Sequence, residues 1–348
     1  MAPFLALASA VLFGLSAPAA KLLVGSIDPW LLAGLLYLGS GVGLLAVRLA
    51  QRLILRPSRE AGIVAHDVPW LIGAIGAGGI VGPLLLTFGL AGGRASEAAL
   101  LLNLEGVLTA LIAWVVFREH FDTRIVTGMV TITAGAAALA WHPGLGMSVA
   151  PASLLVVGAC FAWAIDNNLT RVVSAADPVQ ITAVKGATAG TVNVIIALWR
   201  GASWPSTDLV LGAALVGLLG YGTSLVLFVL ALRHLGTSRT GAYFSTAPFI
   251  GALGAITVLA EPVTVNLAIA AALMALGVWL HLSENHDHEH THEALEHEHV
   301  HAHDAHHQHP HPAGMVVTEP HSHRHRHAAL RHRHPHYPDL HHRHGHDA

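Results

Sequence analysis

Three charged residues stand where the chain is otherwise apolar: Glu105, Asp166 and Lys185. Charge at the centre of a bilayer costs about 2.5–3.5 kcal/mol on insertion scales, so such groups usually face a cavity or a partner. Glu105 follows Asn103 within "LLNLEGVLTALIAWVV". Taking a carboxylate out of water is costly unless it is paired or takes up a proton. Glu105 therefore suits a proton-coupling group, a contact for the cationic part of a solute, or a hydrogen bond that serves packing alone. Asp166, Asn167 and Asn168 follow one another in "CFAWAIDNNLTR". A helical hairpin turning near Ala175 and Ala176 leaves Asp166 and Lys185 almost equidistant from the turn, each roughly 10 Å from its helix end at 1.5 Å per residue. An Asp166–Lys185 ion pair is expected there, with Arg171 reaching toward the headgroups. Three consecutive side chains cannot share one helix face. One of Asn167 and Asn168 is thus expected at a cavity and the other on a helix backbone.

Trp163, Tyr221 and Tyr243 are candidates for stacking on a ligand, although aromatics near helix ends more often form interfacial belts. Pro18, Pro83 and Pro248 are candidate kinks or gate hinges. Glu119 and Glu261 fall at helix ends and are expected to order connections rather than touch solute. A second chemistry begins at Ser283. Of 28 His, 23 lie between His286 and His346, many at His-x-His spacing. Residues 283–348 lack the apolar content to fold alone and read as disordered. Imidazole suits Zn, Ni, Co and Cu. The acid-rich first part, with His286, His288, His290, His292, His297, His299, His301 and His303, is the expected metal site, since Arg in the second part repels cations. Binding would compete with protons on groups of pKa about 6.5.

The elements that hold the three charges follow from composition. The 348 residues are 53% hydrophobic and 11% charged, with mean hydropathy +0.56, against about 25% charged in soluble domains. This is a membrane chain. One cysteine, Cys160, allows no intrachain disulfide. Runs of about 20 apolar residues span a bilayer. Ten are predicted, near 3–24, 29–50, 68–91, 96–117, 124–141, 151–173, 178–199, 209–232, 237–259 and 264–282. The first looks like a signal peptide with Ala17-Pro18-Ala19 as cleavage site, but no basic residue precedes it, and it is expected to stay as a helix. Gly39-x-x-x-Gly43, Gly78-x-x-x-Gly82 and Gly89-x-x-x-Gly93 are read as helix-packing motifs. With the N-terminus inside, nine Arg fall on cytoplasmic loops (Arg48, Arg52, Arg56, Arg59, Arg118, Arg124, Arg171, Arg233, Arg239), against Lys21, Arg94 and Arg200 outside. Both termini are therefore expected in the cytoplasm of a cell that carries the protein in its plasma or inner membrane.

The chain also repeats. "SIDP" ending at Pro29 matches "SAADP" ending at Pro178, and "VVFRE" at Glu119 matches "TVLAE" at Glu261. The second offset carries Gly78 onto Gly220 and Gly135 onto Gly277. Five spans per half, an odd number, make the second half insert upside down, the inverted-repeat plan whose sites lie between the halves. The expected organisation is residues 1–142 and 151–282 as the two five-helix repeats, with 283–348 as the tail. "LFGLSAPAAKLL", "LLLNLEGVLTALIAWVVFREHFDTRIVTGM", "CFAWAIDNNLTRVVSAADP" and "GAYFSTAPFIGALGAITVLAEPV" resemble the EamA-type repeats of the drug/metabolite transporter superfamily. The resemblance covers about residues 3–282. It implies an all-α, ten-helix, ATP-independent carrier of small organic solutes, with the fifth helix of each repeat peripheral and the other four lining a cavity. The family often has Pro on the fourth helix of each repeat. Pro248 stands there in the second half and Gly106 in the first, so the two gates are expected to bend differently.

No Gly-x-x-x-x-Gly-Lys-[Ser/Thr] loop and no Gly-x-Ser-x-Gly elbow is present, so an enzyme is not expected. The lipid bilayer, a small solute and transition-metal ions are the expected partners, nucleic acid is not, and small-residue faces permit a homodimer. The leading expectation is an organic-solute carrier with a metal-binding regulatory or buffering tail and no required cofactor. The alternative is an exporter of Ni, Co or Zn whose tail collects the ion. A third class is a membrane-anchored metal store or sensor.

Overall fold

The computed structural model describes residues 2–54, 62–117, 123–140, 150–173, 176–282, 287–292, 296–301, 321–326 and 330–335. Helix α1 (Ala2–Leu23) and α2 (Pro29–Ile54) are followed by α3 (Val68–Ala74), a π segment (Ile75–Val81) and α4 (Gly82–Gly92), which run on as one rod. Then come α5 (Ala95–Leu101), α6 (Asn103–Phe117), α7 (Thr123–Ala140), α8 (Pro151–Val172) and α9 (Pro178–Trp199). The last group is α10 (Thr207–Val216), a second π segment (Gly217–Thr223), α11 (Ser224–Phe244), α12 (Ala247–Val258) and α13 (Val265–Leu282). Among the described residues eight helical stretches are long and apolar enough to cross a membrane, and Ala247–Val258 and Val265–Leu280 are shorter apolar helices.

The matching "DP" signals do the same work in both halves. Asp28 Oδ1 accepts from the amides of Trp30 and Leu31, and Asp177 Oδ1 from those of Val179 and Gln180. Each carboxylate satisfies orphan donors at a helix start, with Pro at the first helical position where its missing N–H costs nothing. The two π segments fall at repeat-equivalent positions, centred on Gly78 and Gly220.

Packing repeats as well. α2 lies along α9, α7 along α13, α1 along α11, and α4 along α8. Where α2 crosses α9, a Cβ on Gly41 would collide with the backbone of Ala187, so only glycine permits this approach. The glycine-spacing motifs are packing devices as expected: Gly39 meets Ala214, Gly43 meets Leu218, Gly82 meets Trp163 and Gly89 meets Val156.

Two expectations are corrected. The break expected between 209–232 and 237–259 is not at residues 233–236: α11 runs through to Phe244, and the chain bends at Ser245 and Thr246. Arg233 and Gly236 look like a connection, but one Gly costs a helix only about 1 kcal/mol. The first half interrupts its fourth span at the equivalent place, Leu102, without a proline. Both gates thus bend at the same register, and the Gly106/Pro248 difference does not move the bend. Among the described residues of the tail are four strands, β1 (Asp287–His292), β2 (Glu296–His301), β3 (His321–Arg326) and β4 (Leu330–Pro335), with β1 antiparallel to β4 and β2 to β3.

Candidate functional site

The π segment Ile75–Val81 places backbone carbonyls where side chains can reach them. A π turn disturbs the i→i+4 ladder and is often found at functional positions. Gly78 O accepts from Tyr37 Oη at 2.9 Å and from Trp163 Nε1 at 2.9 Å, and Gly79 O accepts from Asn193 Nδ2 at 3.3 Å. Three helices, α2, α8 and α9, are thereby tied to one irregular turn. Gly78 is obligatory there, because a Cβ would overlap the Asp166 carboxylate.

Asp166 and Lys185 pair as expected: Lys185 Nζ donates to Asp166 Oδ1 at 2.5 Å. Thr170 completes a triangle, donating to Asp166 Oδ1 at 2.8 Å and accepting from Lys185 at 3.0 Å. Asp166 is 7% exposed. The two charges neutralise one another, and the threonine fills a remaining hydrogen-bond position, the condition under which a buried ion pair is tolerated.

One of the two amides lies on helix backbone as expected. Asn167 is exposed and donates to Glu105 Oε1 at 2.8 Å and to Thr109 Oγ1 at 3.3 Å. Asn168 is buried and donates to the carbonyls of Ala164 at 2.8 Å and Thr109 at 3.2 Å. Glu105 stands on the first turn of α6, half-buried, beside the exposed Gly106. Among the described residues no basic side chain pairs with it. Asn103 is buried, donating to the Leu100 carbonyl at 2.9 Å, so it caps the break in the fourth span rather than facing solute.

Aromatic rings extend the site. Trp163, one turn before Asn167, also donates to Tyr37 Oη at 3.3 Å. Tyr37 lies 5.6 Å from Tyr221, Tyr221 6.2 Å from Phe13, Phe13 5.3 Å from Phe244, and Phe244 4.8 Å from Phe228. Offset and edge-on pairs at such distances attract. The belt expectation is therefore wrong for Trp163 and Tyr221, which are interior. Tyr243 is half-buried and forms no ring pair among the described residues. Tyr37, Phe13, Phe228, Phe244, Thr109 and Thr170 escaped the sequence reading.

Of the proline hinges, Pro83 begins α4 directly after the π segment and Pro248 begins α12 directly after the bend. Pro18 sits inside α1, which continues through it to Leu23. Glu261 orders a connection as expected. Its two oxygens accept from Ala95 N at 2.8 Å, Ser96 N at 2.9 Å and Ser96 Oγ at 2.5 Å, clamping the start of α5 to the end of α12. Beneath this clamp α5 packs on α12, and Gly14 of α1 meets the backbone of Ala247 and Gly251. α6 rests on α8 and α7. Glu119 lies outside the described residues, as do His286 and His303. Among the described residues no group of three His, Cys, Asp or Glu is placed to hold a metal ion, which leaves metal export through the core without support.

The profile of the EamA-like transporter family matches residues 1–141 and 150–283. An uncharacterized transporter of Methanothermobacter thermautotrophicus is 29% identical over 283 residues, covering 78% of this chain and 82% of its own. A crystal structure of another protein overlays with a TM-score of 0.58 at 20% identity, covering 80% of this chain and 94% of that one. This last likeness speaks for the fold alone.

Proposed function

Because the chain belongs to the EamA-like transporter family, we propose that it is a secondary, ATP-independent carrier of a small organic solute, built as ten transmembrane helices in two inverted five-helix repeats. The solute sits between Glu105 with Asn167 on one side and the Tyr37–Tyr221–Phe13–Phe244 rings on the other. The observation that carries this reading is the state of Glu105. Its described partner is a neutral amide, while the nearby cation, Lys185, is held by Asp166. The site therefore keeps one uncompensated carboxylate beside aromatic faces. That combination attracts a proton, or a solute bearing an ammonium group on an apolar or aromatic body.

Mechanism follows from differential packing. A carrier must expose the site to each side in turn, which needs two arrangements of nearly equal free energy. The Glu261 clamp closes one mouth, and the bends at Leu102 and Ser245–Thr246 lie where α5 and α12 would swing. The excess of Arg on one set of loops favours both termini in the cytoplasm. A proton on Glu105 removes its charge, and a bound ammonium compensates it, so either lowers the cost of closing the site over it. The test is counterflow of amine-bearing solutes into proteoliposomes, comparing the native protein with Glu105→Gln and Glu105→Asp. Flux retained by Glu105→Asp and abolished by Glu105→Gln supports the reading. Undiminished flux in Glu105→Gln removes Glu105 from the mechanism.

A further inference from the structure

We propose that Asn167 determines which nitrogen the carrier accepts: its amide turns over to take a second N–H from the solute's ammonium, which selects primary and secondary ammonium groups over tertiary and quaternary ones. This inference rests on Glu105 as the solute's anchor and names the class of cation that the anchor holds.

The first observation is how the amide is bonded. Asn167 Nδ2 spends both its protons, one on Glu105 Oε1 at 2.8 Å and one on Thr109 Oγ1 at 3.3 Å. Among the described residues no donor reaches Asn167 Oδ1 or Glu105 Oε2. Asn167 is exposed, and so is Gly106, where a Cβ would meet nothing within 4 Å. There is thus room beside two acceptor oxygens. A charged group in a membrane faces a cavity or a partner rather than lipid, so the open side is the one from which solute approaches.

The second observation is what is held still. Asn168 is buried and tied to the carbonyls of Ala164 and Thr109. Asp166 is tied to Lys185 and Thr170. Both neighbours of Asn167 on α8 are therefore pinned, while its own side chain stands in the open. The last torsion of an asparagine is broad and roughly two-fold, so the amide turns over without moving the helix. The Thr109 hydroxyl, which also donates to the Glu105 carbonyl at 2.7 Å, is able to donate or accept as the amide requires.

An amide carries a donor and an acceptor, so it serves Glu105 in each of its states. The bare carboxylate needs a donor, and Nδ2 is one. With an ammonium on the carboxylate, Oδ1 accepts the next N–H. With a proton on Glu105, the same oxygen accepts the O–H. No state leaves a polar group unpaired, which would be costly away from water. Lys185 does not compete for these oxygens, because Asp166 holds it. Reaching both acceptors takes two N–H bonds on one nitrogen. Primary and secondary ammonium groups have at least two, tertiary ones have one, and quaternary ones have none.

The test is counterflow into proteoliposomes with phenethylamine and its N-methyl, N,N-dimethyl and N,N,N-trimethyl derivatives, which keep one aromatic body while N–H bonds are removed. In the native protein KM is expected to rise about tenfold from the secondary to the tertiary amine, as one hydrogen bond to a charged group is lost. Asn167→Leu, of similar size, is expected to raise KM about tenfold for the primary and secondary amines and to leave the tertiary amine nearly unchanged, so the step disappears. Asn167→Gln keeps an amide and is expected to keep the step. A packing role alone would lower the maximal rate for all four amines and preserve the step in Asn167→Leu, which overturns the proposal. A native KM that does not distinguish secondary from tertiary amine overturns it too, whether or not the leucine variant folds. If Glu105→Gln still abolishes flux in that case, the anchor stands and only the selection by Asn167 falls. Flux indifferent to Glu105→Gln removes both.

Discussion

The two π segments present the same backbone to different chemistry. Around Gly78 the neighbours are polar: Asp166 with Lys185 and Thr170, the Trp163 indole and the Tyr37 hydroxyl. Around Gly220 the neighbour is Ser16 of α1, and the adjacent Tyr221 faces Phe13 and Tyr37. Both wings need a small residue at the centre, because a helix crosses the irregular turn at close range. Only one wing carries charge. The repeat therefore fixes the architecture twice and the chemistry once. In the proposed carrier, a solute between the wings would meet a carboxylate and an amide on one side and rings on the other.

The comparison breaks most sharply at Glu105, whose repeat partner is Ala247. Glu105→Gln is expected to reduce solute counterflow to the level of empty vesicles with little change in thermal stability. A matching loss from Tyr221→Ala alone would show that the wings contribute equally. Next in size is Lys185→Met, which leaves Asp166 buried without a counter-charge and is expected to cost about 3–5 kcal/mol. Asp166→Asn added to Lys185→Met should recover much of that in thermal unfolding in detergent, whereas no recovery would mean Lys185 acts through another group. Gly78→Ala and Gly220→Ala sharpen the contrast. Both overpack a crossing and should destabilise by about 1–3 kcal/mol. Gly78→Ala should cost more, since its methyl meets a carboxylate held in an ion pair, while at Gly220 it meets the uncharged Ser16 Cβ. Equal melting temperatures in the two variants would deny the asymmetry. The smallest effect expected is at the closed mouth. Glu261→Gln keeps the shape of the clamp but weakens its charge-assisted hydrogen bonds, worth about 1 kcal/mol in a helix cap. A cysteine placed at Ala99, 1% exposed and packed against Gly251, should then label severalfold faster against the background of the buried Cys160. An unchanged labelling rate would show that packing alone holds this mouth shut.

Local signals carried much of the fold into the sequence. The apolar runs, the "DP" helix starts and the glycine spacings each act over a few residues; the helix starts and glycine contacts appear as expected, and eight of the apolar stretches are long enough to cross a membrane among the described residues. The Asp166–Lys185 pair was legible for the same reason, since a hairpin converts sequence distance from its turn into depth. The α11 boundary was less legible: charge and Gly resemble a loop locally, and only packing against α1 decides that the helix continues.

Sequence alone thus determined that this is a multi-pass membrane chain with repeated halves, three interior charges and a histidine tail, because hydropathy, charge and repeat are properties of the string. Tertiary structure decided which charge remains uncompensated. The Asp166–Lys185 pair was expected, and what the fold had to decide was the partner of Glu105: α6 packed on α8 gives it the amide of Asn167. It also decided that Tyr37 and Phe13 join Trp163 and Tyr221 in one row of rings. Contacts between helices far apart in sequence depend on where backbones cross, and no spacing along one helix encodes that.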